Sequence, residues 1–214
     1  MVTSEMKSEI KRKIFHTGIN GTLGPLVILG ISEPQLARAV GLSIYSCFLT
    51  LFLLLEYSMR QNKGWNIPFA SKTYGLIKNE YENQSRTLPS VVLLIVSGML
   101  MVAFLDLRAA LVGIMVLSYA DSAASIAGKA YPNHPVSYNK RKHYEGTAAF
   151  MTVAFLVTAL TLSFVPMTLP KILVVSAVIA VACGLVESLP MKYYFDNFTV
   201  PIAAGLLAQL FISL

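Results

Sequence analysis

Asp121 stands seven residues ahead of Gly128 in the run Ser118-Tyr-Ala-Asp121-Ser-Ala-Ala-Ser125-Ile-Ala-Gly128-Lys129. On a helix, Ser118, Asp121, Ser125 and Gly128 fall on one face. A carboxylate in an apolar helix costs on the order of 3 kcal/mol if it meets lipid, so Asp121 must face protein or a wet cavity. The small residues around it let a backbone or a ligand come close. The plainer alternative is a helix-packing face with a buried Asp–Lys pair. A second run, Asn139-Lys-Arg-Lys-His-Tyr-Glu145-Gly-Thr147, sets three consecutive cations before an apolar stretch. Cations followed by a helix N-terminus suit polyanionic phosphate, because charge and first-turn N–H groups aim the same way. Alone, such a run equally anchors topology, but an anchor does not need Glu145. That acid either favours the helix dipole or holds a metal. In a third run, Glu187 and Asp196-Asn197-Phe-Thr199-Val-Pro201 flank a short re-entry. Mg²⁺ is commonly held by one or two carboxylates together with phosphate oxygens, although Asp196 or Asn197 could be an ordinary helix N-cap. Finally, Arg12-Lys13-Ile-Phe-His16 opens the first apolar stretch, with Lys13 and His16 on one face.

These groups need elements to position them. The chain has 214 residues, 55% hydrophobic and 13% charged, against about 25% charged in soluble domains. The pattern predicts an all-α polytopic membrane bundle of about seven transmembrane helices forming a single domain over residues 1–214. The spans lie near Ile14–Ile31, Leu36–Met59, Pro89–Leu105, Ala109–Gly128, Gly146–Val165, Lys171–Glu187 and Asn197–Leu214. Strands are excluded for these spans, since open sheet edges go unsatisfied in lipid. If Met1 is cytoplasmic, all of the 17 Lys and Arg except Arg38, Arg108 and Lys171 fall on the cytoplasmic side. All four polar groups then share that face. The long connection from Arg60 to Leu88, with Trp65, Tyr74 and Tyr81 among its cations, reads as a strip at headgroup level. The first apolar stretch holds His16 and Asn20 and lacks a small-residue cleavage site, so it is expected to remain as a helix. The net charge of +6 is accounted for by topology and by attraction to the anionic lipid bilayer. No basic soluble domain exists to bind nucleic acid. Cys47 and Cys183 sit deep in apolar stretches and indicate neither a disulfide nor a metal site.

In this order, Arg12-Lys13-x-x-His16, Asp121 with Gly128, Lys142-x-x-Glu145-Gly146-Thr147, and Glu187 with Asp196-Asn197-x-Thr199-Val200-Pro201 resemble the CTP-dependent lipid kinase family. That family includes phytol and farnesol kinases, dolichol kinase and the CTP-dependent diacylglycerol kinase. The chain departs from the family at Ala120, where Gly is usual, at Lys129 and Pro132, where Arg and a later Gly are common, and at His143-Tyr144, where Ser or Thr precedes Trp. The resemblance implies phosphoryl transfer from a nucleoside triphosphate, CTP, to a membrane-embedded alcohol such as phytol, geranylgeraniol, dolichol or diacylglycerol. It implies Arg12, Lys13, Gly128, Lys129, Arg141, Lys142, Gly146 and Thr147 at the nucleotide. Asp121, Glu187, Asp196 and Asn197 would lie at Mg²⁺, and Asp121, His16, Lys142 and Glu145 at the reacting groups. The expected setting is multi-pass in the plasma membrane or endoplasmic reticulum, with the site facing the cytoplasm; a homo-oligomer is compatible with it. A cytidylyltransferase making a CDP-lipid is the nearest competing reading. A small transporter fits less well, because the centres of the second, third and fifth spans carry few polar groups.

Overall fold

The computed structural model describes residues 9–11, 13–14, 17–18, 21, 25, 30–60, 90–191 and 195–214. Arg12, His16, Lys192 and the connection bearing Trp65, Tyr74 and Tyr81 lie outside the described residues. Through the first predicted span and the residues just before it, every described residue from Glu9 to Gly30 is helical. The elements that follow are α1 (Pro34–Arg60), α2 (Ser90–Phe104), α3 (Leu107–Met115) and, after a π-helical turn at Val116–Ala120, α4 (Asp121–Ala130). Next come β1 (Pro135–Val136), β2 (Asn139–His143), α5 (Tyr144–Leu162), α6 (Leu169–Ser188) and α7 (Asp196–Ser213). Five of the described helical runs are long and apolar enough to cross a membrane, while α2, at 15 residues, is shorter. The protein is an integral membrane protein with an all-α transmembrane bundle.

The ends of these helices have local causes. Asp106 caps α3 by accepting the Arg108 N–H at 2.8 Å. Extended Thr168 and Pro170 in the first turn start α6. The run from α3 to α4 is the most buried span and forms the centre of the bundle, with Ile114 and Leu117 fully enclosed. Against it packs α7, so closely that a Cβ on Gly113 would meet the Pro201 carbonyl oxygen at 2.5 Å. α5 packs on α4 and α6 on α5, while Leu156, Leu185, Leu206 and Leu210 point outward, as a lipid-facing surface requires.

Pro201 also organises the start of α7. Proline has no N–H to give to the carbonyl four residues back, which here belongs to Asn197. That oxygen instead accepts from the buried Ser97 hydroxyl at 3.1 Å. The Asn197 amide in turn donates to the Ser90 carbonyl at 3.2 Å. The first turn of α7 is therefore tied twice to α2.

One sequence expectation is corrected. The triple cation run does not simply precede a helix; it lies on β2, which pairs antiparallel with β1 in a bulged hairpin between the spans. Outside hydrocarbon, water satisfies strand edges, so the physical exclusion applies only to the spans. Ser118 and Asp121 both turn toward the N-terminal helical segment, Asp121 onto Lys13 and Ser118 onto Gly21, but only Asp121 reaches the polar end of the bundle. Ser118 is fully buried, its carbonyl accepting from Thr17 and Ser122 at 2.9 and 2.6 Å.

Candidate active site

One end of the bundle gathers the polar groups. The ends of α4 and α6 meet there with the starts of α2, α5 and α7 and with the hairpin, enclosing a cavity of about 510 Å³. Its lining includes Lys13, Asp121, Gly128, Lys129, Arg141 and Lys142. Gly146, Thr147, Glu187, Asp196 and Asn197 also stand on its wall. The first turns of α5 and α7 lie on its wall, which favours anions there.

The charges are paired across elements. Lys13 binds Asp121, and Lys129 reaches the buried Glu9 at 3.2 Å. Lys142 donates to Glu187 and, at 2.9 Å, to Asp196. Burial works against the Lys142 charge, but the carboxylates of Glu187 and Asp196 outweigh it and hold its pKa above the usual lysine range. Lys142 is therefore a firm cation at neutral pH. Neither Asp196 nor Asn197 is an N-cap: Phe195 occupies that position without a side-chain cap bond.

The hairpin brings Lys142 to these acids. The Asn139 amide donates to the carbonyls of Ser188 and Leu189 at 3.1 and 3.0 Å, and the Tyr138 hydroxyl lies 2.6 Å from that of Ser188. At the other end of β2, Tyr144 N–H donates to the His134 carbonyl at 2.9 Å. Glu145 stands apart from the cavity lining and lies 2.6 Å from His134 Nδ1. Gly128 and Gly146 line the cavity and also touch one another: a Cβ on Gly146 would sit 2.9 Å from the Ala124 carbonyl oxygen and 3.4 Å from Gly128 Cα.

The lining also offers oxygen donors of the kind a divalent cation takes. Glu187 Oε2 and Asp196 Oδ1 are buried without a hydrogen-bond partner, as is Thr147 Oγ1. Two carboxylates with a spare oxygen each, beside an open cavity, fit a hard cation completed by phosphate oxygens. Among the described residues, no three acid, histidine or cysteine side chains form a metal cluster by themselves.

Sequence reasoning missed Glu9, Ser90, Tyr138 and Asn139 as participants in this region. Glu9 had a signal, since it lies one turn before Lys13 on the same helical face. The roles of Tyr138 and Asn139 depend on a hairpin that no span pattern announces.

Comparison with known proteins accords with this arrangement. A phytol kinase from Synechocystis sp. is 32% identical over 208 residues, covering 94% of this chain and 78% of the relative. This chain belongs to the phytol kinase family of lipid kinases. A probable chloroplastic phytol kinase of Triticum aestivum is 30% identical over 127 residues, 56% of this chain and 41% of that protein. One from Glycine max is 27% identical over 110 residues, 48% of this chain and 38% of that protein. No protein-family model matches the chain, and no solved structure does. The lipid kinase family expected from the motifs is thus the one to which the chain belongs.

Proposed function

We propose that this protein moves the terminal phosphoryl group of a nucleoside triphosphate, CTP by family resemblance, onto the hydroxyl of phytol or a related lipid alcohol. Geranylgeraniol, dolichol and diacylglycerol are the other acceptors of the same class. The observation that carries this reading is the shared cavity in which Asp121, Glu187 and Asp196 face Lys13, Lys129 and Lys142 at one end of a membrane bundle. A bilayer-dissolved alcohol and a water-soluble nucleotide can meet only at such a boundary. By the positive-inside tendency, this end faces the cytoplasm.

Phosphoryl transfer depends mainly on positioning and on neutralising phosphate charge. In this reading Lys142, Arg141, Lys13 and Arg12 hold the triphosphate, with Lys129 at its edge. The first turn of α5, from Gly146 to Thr147, offers N–H groups to it. Glu187 and Asp196, with Asp121 and Asn197 alongside, are the groups that would hold Mg²⁺. Bound there, the cation would offset negative charge on the phosphate oxygens. The ion pairs are a resting arrangement, since Lys142 and Lys13 have phosphate oxygens to turn to once a nucleotide enters. The alcohol oxygen bonds to the γ-phosphorus, the bond from that phosphorus to the β–γ bridging oxygen breaks, and the nucleoside diphosphate departs. Asp121 or His16 accepts the alcohol proton. Glu145, bonded to His134, supports the start of α5.

The test uses purified protein in micelles with each of the four nucleoside triphosphates, labelled at the γ-phosphate, and a panel of phytol, geranylgeraniol, dolichol and diacylglycerol. Label should enter a lipid monophosphate only with Mg²⁺ present and most rapidly with CTP and phytol. Label released as pyrophosphate would instead mean cytidylyl transfer, and no label in lipid with any pair would overturn the reading.

A further inference from the structure

We infer that Tyr138 and Asn139 are positioning residues: they latch the β1–β2 hairpin onto the C-terminus of α6 and so fix Lys142 for the triphosphate. This rests on the phosphoryl-transfer reading and extends it to residues outside the motifs. The last carbonyls of a helix lack internal partners. Asn139 satisfies one at the end of α6, Ser188, at 3.1 Å, and at 3.0 Å adds a bond to the carbonyl of the C-cap Leu189, which also accepts from Met191 N–H. Its own side-chain oxygen accepts the Arg141 N–H at 3.3 Å, bracing the strand. Beside it, the Tyr138 hydroxyl lies 2.6 Å from the hydroxyl of Ser188, a residue only 2% exposed. The residue before Ser188 is Glu187, the partner of Lys142. The latch and the ion pair thus join the same two elements, three residues apart on β2 and one apart on α6. A lysine side chain has several rotatable bonds, so where its ammonium rests depends on where the strand is held.

The prediction concerns coupling. Asn139→Ala should raise KM for the nucleotide and lower kcat, together about tenfold in kcat/KM, as expected for two lost neutral hydrogen bonds. KM for the lipid alcohol should stay unchanged. Asn139→Asp, which keeps the shape but loses the donor, should be at least as impaired. Tyr138→Phe should cost about threefold. In a Lys142→Ala background, Asn139→Ala should change neither kcat/KM nor the affinity for a fluorescent nucleotide analogue further, because its effect passes through Lys142. Thermal unfolding in the same micelles separates this from loss of fold. If Asn139→Ala lowers kcat/KM equally in both backgrounds, or shifts only the melting temperature, the latch assignment is wrong. If Lys142→Ala itself keeps full activity, it is the phosphoryl-transfer reading that fails.

Discussion

The two ends of the bundle use polar groups in opposite ways. At the end bearing the short connections, polar side chains go to backbone. Arg38 donates to the carbonyls of Val102, Ala103 and Leu105 at the close of α2, Asp106 caps α3, and Gln209 accepts the Asp106 N–H at 2.7 Å. Each of these bonds completes a helix terminus that has no internal partner. At the other end, lysines and carboxylates from separate elements pair with each other, and carboxylate oxygens of Glu187 and Asp196 remain buried without a partner. An end that serves only the fold has no need of such spare oxygens, because each costs desolvation free energy. The difference separates a structural use of charge from one suited to a ligand.

Substitutions at each end test that separation. Lys142→Ala should lower kcat/KM on the order of 10³-fold, comparable to removing an electrostatic donor from a reaction centre. Lys142→Arg should keep the protein as stable as the parent and recover part of the rate. Arg38→Ala at the far end should do the reverse, reducing stability by about 2 kcal/mol while the rate per folded molecule holds. A large loss of rate from Arg38→Ala would break the comparison. Gly146→Ala puts a Cβ 2.9 Å from the Ala124 carbonyl, so α4 and α5 must separate slightly. Since small displacements of reacting groups are costly, about a tenfold fall in kcat is expected, with a lower melting temperature because the atom met is backbone and cannot give way cheaply. Ser97→Ala, which leaves the Asn197 carbonyl without its side-chain donor, should have the smallest effect, about 1 kcal/mol of stability.

Much of this was legible in the sequence, and the limits have physical reasons. Span positions follow from runs of apolar residues, whose burial needs no tertiary information. The gathering of Asp121, Lys142, Glu187 and Asp196 was legible because the alternation of spans carries all four to the same end of the bundle. What could not be read depends on departures from regular geometry. The π turn at Val116–Ala120, just before Asp121, leaves no mark in the apolar run that contains it. The hairpin gave Asn139 and Lys142 a two-faced strand where the charge run suggested only an anchor or phosphate cradle. Glu145, whose role spacing left open, went to His134 because the strand-to-helix joint sets them side by side.

The most direct measurement is transfer of γ-label from CTP to phytol by the Asp121→Asn protein, compared with the parent at equal folded concentration in micelles. This substitution keeps the size of the side chain and removes the charge that faces Lys13. Turnover should disappear while thermal unfolding stays cooperative. Normal transfer by the folded variant would contradict the assignment of this end of the bundle as the reaction centre.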